Sequence, residues 1–311
     1  MKKTKEQKGI TLIALIITIV VLMVLAAVAI SSIQNDGIIG HAQNATNKFT
    51  QEQQKEQDML NYYELVLSGK AWTQNGTTVT RGNVTLQVGE TITAKSGDTT
   101  VDLPKDKNGT TIEWKVLGVE YGKLLLMSAS NIGTVSLEVS EGDWDNTSNS
   151  FLKQENQLHQ FCKDTVTQNI DYVDEIRSVK VEDINRVTGF TPPPSGAPIT
   201  YTSNFKHPDG RKIEKEGDAP ITLVSNRYSY FGSSELPTTE DPNSLALNLL
   251  FKKPTTSGDT TTYSNDSYCL ASSYVDAYSS YAYFGLRDVD SGYVSNNVSL
   301  WYSYDGSGGN R

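Results

Sequence analysis

One uninterrupted apolar segment constrains this chain more than any other feature. Residues Ile10 to Ile33 carry no charge and are Ile, Leu, Val, Met and Ala apart from a few Thr and Ser. As a helix with a rise of about 1.5 Å per residue, the segment would extend roughly 36 Å, and the hydrocarbon core of a bilayer measures about 30 Å. The segment therefore predicts one transmembrane helix over residues 10–33.

The residues before this segment predict its orientation. Residues 1–9 contain four Lys and one Glu, which favours retention of the amino end in the cytoplasm. That orientation predicts a single-pass protein of the cell membrane whose C-terminal head is extracellular. Two simpler interpretations stay open, namely an ordinary secretory signal cleaved near Ala27–Ala29 and a plain membrane anchor.

The junction of leader and apolar segment carries a motif. Residues 8–15 read Lys-Gly-Ile-Thr-Leu-Ile-Ala-Leu, which resembles the processing signature of type IV prepilins and type II secretion pseudopilins. The resemblance implies cleavage between Gly9 and Ile10 by a prepilin peptidase, methylation at Ile10, and packing against other pilin subunits. The family normally has Glu where this chain has Ala14, which implies a minor, pilus-associated subunit or a pilin-like anchor rather than a major pilin.

A polar stalk and a head follow. Residues 34–72 are rich in Gln, Glu, Asn and Lys and predict a helical stalk, with the helix over 42–67 ending at Ser68-Gly69. Residues 73–267 contain short β-rich segments separated by Gly turns, which predicts an extracellular α+β head. Within it we expect a core hairpin formed by Glu113–Val119 and Leu124–Met127.

Further elements of the head are predicted from local pattern. We expect a helix over residues 149–166, a strand at Arg177–Val181 and a short helix from Glu182 that ends at Gly189. Two polar insertions, Thr191–Pro198 and Pro254–Asp266, are expected to form surface loops.

The last 44 residues, 268–311, have an unusual composition. They hold 8 of the 16 Tyr together with many Ser, Asp, Asn and Gly, and they lack Lys, Glu, Gln, Thr, Pro and His. Antibody paratopes use the same mixture, because Tyr supplies rigid contact area and the small polar residues supply adaptable hydrogen bonds. The composition therefore predicts a ligand-binding region. A Tyr-rich sheet edge and a low-complexity tail remain alternatives.

This region also resembles a known family. The stretches Tyr268–Ser273 and Phe284–Arg287, followed by a turn at Ser291-Gly292, are similar to the C-terminal part of certain clostridial surface proteins and to the C-type-lectin-like variable proteins of diversity-generating retroelements. The resemblance implies a scaffold of apolar residues and a set of exposed, changeable positions. It also implies a closing strand that this chain lacks, so the region looks truncated at Arg311.

The residues expected to be exposed and to bind the ligand are Tyr274, Asp276, Tyr278, Tyr281, Tyr283, Asp288, Asp290, Tyr293, Asn296, Asn297, Tyr302, Tyr304 and Asp305. The scaffold is expected to comprise Leu270, Ala271, Phe284, Leu286, Arg287, Leu300 and Trp301.

Charge and composition exclude several functions. The 27 basic and 36 acidic residues give a net charge of −9, which argues against binding to nucleic acid. The two Cys and three His are far apart and lack the spacing of zinc ligands. No acid–base pair, nucleophile or phosphate-binding loop is recognisable. We therefore expect no enzyme activity, no metal and no cofactor.

These observations combine into one prediction. The fold class is α+β, with a long N-terminal transmembrane and stalk helix and a mixed, mainly β extracellular head whose C-terminal part is C-type-lectin-like. The function is that of a pilin-like bacterial cell-surface protein that displays a ligand-binding or adhesive head for an extracellular protein or glycan. The alternative is a minor pilin or pseudopilin with a purely structural role in a type IV pilus or type II secretion-like assembly.

Overall fold

The computed structural model describes residues 38–93, 103–166, 173–188, 190–228, 250–257, 260–304 and 307–310. The chain divides into two compact units, residues 1–68 and residues 69–311. The predicted leader, the apolar segment 10–33, and the processing residues Gly9 and Ile10 lie outside the described residues.

Helix α1, Ile38–Leu67, is the described part of the first unit. Polar residues dominate its sequence, and ion pairs or hydrogen bonds between residues three or four apart, such as Lys55 Nζ to Glu52 Oε1 at 2.8 Å, support it. The chain leaves the helix at Gly69, whose φ of +67° is readily adopted only by Gly. Several apolar side chains of α1 are exposed, including Phe49, Leu60 and Leu67.

The structure corrects the predicted membrane architecture. No helix in the described ranges is both long and apolar enough to cross a membrane, and the 30-residue helix α1 is too polar to do so. The predicted fold with a long transmembrane helix is therefore wrong, and the membrane partner and single-pass localisation derived from it are not supported. The part of the chain that the structure describes is mainly β, with sixteen strands and three helices.

The second unit begins with two three-stranded antiparallel sheets. The first has the order β1-β2-β3 and the second the order β4-β5-β6. The strands are β1 (Thr73–Asn75), β2 (Thr78–Arg81), β3 (Val84–Gln87), β4 (Thr91–Thr93), β5 (Glu113–Glu120) and β6 (Lys123–Ser128). Strands β5 and β6 form the predicted core hairpin, which is confirmed: Trp114 pairs with Ser128, and Tyr121-Gly122 makes the turn with positive φ at both residues.

Two helices follow, α2 (Leu152–Thr165) and α3 (Val181–Thr188), as expected from the sequence. The strand predicted at Arg177–Val181 is absent, because residues 177–180 are irregular and Val181 begins α3. The carboxylate of Asp183 explains this difference. It accepts hydrogen bonds from the Lys180 backbone N–H at 2.9 Å and from Arg177 Nη2 at 2.7 Å, which stabilises a helix start rather than an extended chain.

Four short strands form two antiparallel pairs. They are β7 (Pro198–Tyr201), β8 (Phe205–Lys206), β9 (Lys212–Ile213) and β10 (Ile221–Val224), with β7 paired to β10 and β8 to β9. The polar insertion Pro254–Asp266 is not a loop, since it lies in a hairpin of β11 (Lys252–Ser257) and β12 (Thr260–Asn265).

The last sheet contains β13 (Tyr268–Ala277), β14 (Tyr281–Asp290), β15 (Tyr293–Tyr304) and β16 (Ser307–Asn310) in sequential antiparallel order. Its inner face supplies Phe284, Leu286 and Trp301 to the largest apolar cluster, where they pack with Trp144, Phe151 and Leu158. All seven residues predicted as scaffold are buried. Strands β13, β14 and β15 thus contribute to the core of the head and are not a low-complexity tail.

Helices α2 and α3 are attached to β13 through two adjacent serines at a bulge in that strand. Ser273 Oγ donates to Glu155 Oε1 at 2.6 Å and accepts the Phe151 N–H at 2.8 Å. Ser272 Oγ accepts the Val181 N–H at 2.9 Å. These bonds give both serines a structural role and fix the sheet against the helical layer.

Candidate functional site

The outer face of the last sheet is the candidate site. In β14, Ala282 and Phe284 point into the apolar cluster, so Tyr281 and Tyr283 point away from it. The antiparallel register places Asp276 opposite Tyr283 and Tyr302 opposite Tyr283 on the other side. Side chains from three strands therefore meet on one surface.

Four tyrosines form a continuous aromatic cluster there, which we call the tyrosine cluster: Tyr278, Tyr281, Tyr283 and Tyr302. The rings of Tyr278 and Tyr281 stack at a centroid distance of 4.6 Å and an interplanar angle of 24°. Those of Tyr283 and Tyr302 lie 4.8 Å apart at 32°. The two pairs are nearly perpendicular, since Tyr281 meets Tyr283 edge-on at 82°. Each ring is partly exposed.

A charged pair borders the tyrosine cluster. Arg227 Nη1 donates to Asp276 Oδ2 at 2.7 Å and to the Tyr278 hydroxyl at 2.6 Å, and that hydroxyl donates to Asp276 Oδ2 at 2.9 Å. Desolvation and the hydrogen bond to Asp276 raise the pKa of Tyr278. Half of the Arg227 side chain is exposed while only 12% of the Asp276 side chain is, so the guanidinium is the charge that a ligand would meet.

Other predicted site residues are buried and serve the fold. Tyr274 is 2% exposed and covers Gly285, and desolvation raises its pKa to about 12. Asp288 is 8% exposed and accepts hydrogen bonds from Ser295 Oγ at 2.6 Å and from the Asn297 N–H at 3.2 Å. Asp276 is also buried at 8%. The expectation that all thirteen residues are exposed is therefore wrong for these three.

The remaining predicted residues lie at the opposite end of the sheet or outside the described side chains. Asp290 and Tyr293 flank the predicted turn Ser291-Gly292, whose φ values of +53° and +90° fit a type I′ turn. Nine residues separate Asp290 from Tyr281, which is roughly 30 Å along a strand. Asn297 is exposed near this end, whereas the side chain of Tyr304 and all of Asp305 lie outside the described part.

A buried arginine separates the two ends. Arg287 is 2% exposed; its guanidinium donates to the Asn226 carbonyl, to the Tyr228 carbonyl at 3.1 Å and to Asn296 Oδ1 at 2.9 Å. It also stacks on the Tyr228 ring at 4.0 Å. The segment 225–228 therefore covers this part of the outer face, which leaves the tyrosine cluster accessible and buries the residues beside Arg287.

The same segment continues from β10 along the edge of β13. The Asn226 N–H donates to the Val275 carbonyl at 3.1 Å, and Asn226 Oδ1 accepts the Val275 N–H at 2.7 Å. Ser225 Oγ accepts the Ala277 N–H at 3.0 Å. Arg227 thus reaches the site from 49 residues before Asp276, and nothing in its local sequence marked it as a site residue.

Beneath the tyrosine cluster, on the inner face of the sheet, His207 is buried at 1% exposure. It meets the Phe284 ring at 5.2 Å and the Trp144 ring at 6.2 Å, both edge-on. Its Nδ1 lies 2.7 Å from Asp209 Oδ1 and 3.3 Å from the backbone N of Asp209. Desolvation lowers the pKa of His207 to about 4, which outweighs the opposing effect of Asp209.

The described ranges contain no group of three or more His, Cys, Asp and Glu side chains arranged to hold a metal ion. Cys162 and Cys269 are both free thiols, and desolvation raises the pKa of each. The geometry of the outer face therefore offers aromatic rings, phenol hydroxyls and one exposed guanidinium.

Comparison of the chain with models of known protein families, with curated protein sequences and with solved structures returned no match. The assignment of a function therefore depends on the geometry of this surface.

Proposed function

We propose that this protein binds a protein or glycan ligand through the tyrosine cluster. One observation carries the proposal: four partly exposed tyrosine rings from two neighbouring strands and the adjoining turn pack on one outer face of a sheet whose inner face is core. A rigid scaffold with an aromatic, hydroxyl-bearing surface is the arrangement that binding proteins use for macromolecular ligands.

Mutual packing supports the proposal because it fixes the rings before a ligand arrives. Tyr281 contacts Tyr278, Tyr283 and Tyr302, so each ring restricts the rotamers of its neighbours. Immobilising a flexible side chain on binding costs about 0.5–1.5 kcal/mol, and a pre-packed ring avoids most of that cost. Tyrosine also combines apolar area with a polar edge, which suits a protein surface or the mixed faces of a sugar.

Scaffold and surface roles are separated along the strands. In β14 the predicted scaffold residues Phe284 and Leu286 are fully buried, while Tyr281 and Tyr283 on the opposite face are partly exposed. Substitution at the exposed positions would leave the core unchanged. Because Tyr274 and Asp288 are buried, we propose that any diversified set excludes these two positions. A DNA repeat near the gene that differs from it only at adenines is the expected sign.

The experiment is a binding measurement on the purified full chain. The labelled protein is applied to an array of immobilised glycans and to an array of immobilised proteins, and bound features are then titrated. A variant with Tyr278→Ser, Tyr281→Ser and Tyr283→Ser is expected to lose at least tenfold in affinity for every feature that the wild type binds. A second variant with Phe at the same positions keeps the packing and removes only the hydroxyls.

The matched control is Tyr293→Ser at the far end of the same sheet, which is expected to bind as the wild type does. Circular dichroism melting checks that each variant is folded. The proposal is wrong if the wild type binds no feature of either array, or if the triple Ser variant is folded and binds undiminished.

A second candidate, a structural subunit of a pilin-like assembly, is favoured by the surface of α1. Phe49, Leu60 and Leu67 are 63%, 54% and 88% exposed, and Tyr63 is 55% exposed. Apolar side chains of this size in one helix are typical of a surface that contacts another chain. Sedimentation of the full chain with and without Leu60→Glu and Tyr63→Glu tests this function; a mass that stays monomeric in both proteins contradicts it.

A further inference from the structure

The turn that carries two of the cluster tyrosines is held from below by a residue from a distant strand. Tyr201 in β7 donates its phenol O–H to the Tyr278 carbonyl at 2.6 Å and also lies 3.0 Å from the Tyr281 carbonyl. These are the two residues that flank the exposed tip Ser279-Ser280. The Tyr278 N–H donates to the Tyr281 carbonyl at 2.8 Å and closes the hairpin.

The surroundings of Tyr201 make this contact rigid. Tyr201 is 5% exposed, belongs to the main apolar cluster and stacks on Phe205 at 4.0 Å and 23°. Its backbone pairs with Ile221 in β10, the strand whose continuation, residues 225–227, bonds to the edge of β13. The pair β7–β10 therefore holds the hairpin both from the core side and from the edge.

We infer that Tyr201 is a positioning residue for ligand binding: its hydroxyl fixes the tip of the β13–β14 hairpin and thereby the relative placement of Tyr278 and Tyr281. This inference rests on the proposed function of the tyrosine cluster. Tyr201 itself is buried and touches no ligand. It acts by restricting the conformations of the tip before a ligand arrives, so binding avoids the entropy cost of ordering the tip.

The physical reason is the donor that Tyr201 supplies to the Tyr278 carbonyl, because the Tyr281 carbonyl also accepts the Tyr278 N–H. A partly buried carbonyl that loses its donor retains part of its desolvation cost until the tip moves and water reaches it. Desolvation raises the pKa of Tyr201 to about 12, so the hydroxyl keeps its proton, and with it the bond, throughout the physiological range.

The first measurement is local hydrogen exchange on the full chain. Tyr201→Phe keeps the ring and its stacking on Phe205 and removes only the donor. The Tyr278 N–H is expected to exchange about tenfold faster, with little change elsewhere in the sheet. Tyr268→Phe is the matched control, since Tyr268 is on the same sheet and donates its hydroxyl to the Leu250 carbonyl at 2.9 Å, far from the tip.

The second measurement is binding of the glycan or protein feature identified on the arrays. Tyr201→Phe is expected to weaken that binding five- to tenfold, and Tyr268→Phe is expected to leave it unchanged. Incorporation of 3-fluorotyrosine at position 201 keeps the O–H donor and is expected to restore both the exchange rate and the affinity. This rescue separates the donor from a general loss of stability.

The outcomes are distinguishable. Unchanged exchange at Tyr278 in Tyr201→Phe overturns the inference, and so does accelerated exchange with undiminished binding. A folded triple Ser variant that binds like the wild type overturns the proposed function instead. If Tyr201→Phe melts below the assay temperature, exchange and binding measured below its melting temperature decide the question.

Discussion

The two ends of the last sheet both carry Tyr and Asp, and they have different roles. At one end Tyr278, Tyr281 and Tyr283 are partly exposed and pack against one another. Towards the other end, Arg287 and Asp288 are buried in polar networks that the covering segment 225–228 and the neighbouring strand complete. The comparison teaches that Tyr, Asp and Asn in a paratope-like mixture do not by themselves mark a binding surface. What covers each residue decides its role.

The largest expected effect comes from Arg287. Arg287→Met removes the donor for the Asn226 and Tyr228 carbonyls and for Asn296 Oδ1, and it uncovers the Tyr228 ring. Each buried acceptor left without a donor costs about 1–3 kcal/mol. Urea unfolding should show this loss. Arg227→Met, in which the arginine is half exposed, should cost less than about 1 kcal/mol, and equal losses in the two variants would break the comparison.

The second effect is a loss of stability in acid at the end of the sheet that carries the tyrosine cluster. The pKa of His207 is about 4 in the folded chain and about 6.5 when unfolded, so the unfolded chain takes up the proton more readily. Stability is therefore complete above about pH 6.5 and declines as the pH falls towards 4, by about 3 kcal/mol. Asp209 adds little in this window, since its pKa lies near 2.

Urea unfolding at several pH values between 7 and 4 measures this decline in the free energy of unfolding, and His207→Gln should reduce the decline. Because His207 packs on Phe284 under the tyrosine cluster, the protection factor of the Tyr283 N–H against hydrogen exchange should fall in acid before that of the Val294 N–H does. The reverse order would contradict the assignment of the pH dependence to His207.

A third prediction concerns Gly285, which lies between the two ends. A Cβ at this position would lie 2.0 Å from the Val298 carbonyl oxygen and 2.8 Å from the Tyr274 ring. Gly285→Ala should therefore displace the Tyr274 ring and the neighbouring strand and cost about 1–3 kcal/mol, as overpacking does. Thermal melting measures the cost. Gly76→Ala is a control without such a clash, although its φ of +60° adds a small backbone strain.

The smallest effect on stability is expected from Tyr278→Phe. The hydroxyl bonds to Asp276 and Arg227 at a partly exposed site, so its loss should cost no more than about 1 kcal/mol. The same change should nevertheless weaken ligand binding more than Tyr293→Phe does at the far end. Urea unfolding measures the loss of stability, and array titration measures the loss of affinity. Equal binding by both variants would remove the functional distinction between the ends.

Local pattern was enough to predict some of these features. The β5–β6 hairpin follows from two apolar, β-rich segments around Tyr121-Gly122, and the turn at Ser291-Gly292 follows from a Ser-Gly pair, which is typical of turns. The burial of scaffold residues such as Phe284 and Trp301 follows from their apolar character.

Other features depend on contacts between distant parts of the chain. Tyr274 and Tyr283 look alike in sequence, and only the Gly285 gap that Tyr274 fills distinguishes them. Arg227 and Tyr201 reach the site from β10 and β7, at separations of 49 and 77 residues from their partners. Local periodicity does not predict such long-range contacts. The predicted strand at Arg177–Val181 is wrong for a local reason, since the side chain of Asp183 accepts the backbone N–H of Lys180 three residues away.

The bonds between residues 225–226 and β13 have a consequence for how a partner can approach. They occupy the backbone groups of Val275 and Ala277 that would otherwise template another chain. Unprotected sheet margins invite intermolecular strand addition and amyloid-like growth, and here a serine and an asparagine side chain block both. A partner at this edge therefore contacts the tyrosine rings and hydroxyls on the outer face and does not add a strand to the sheet.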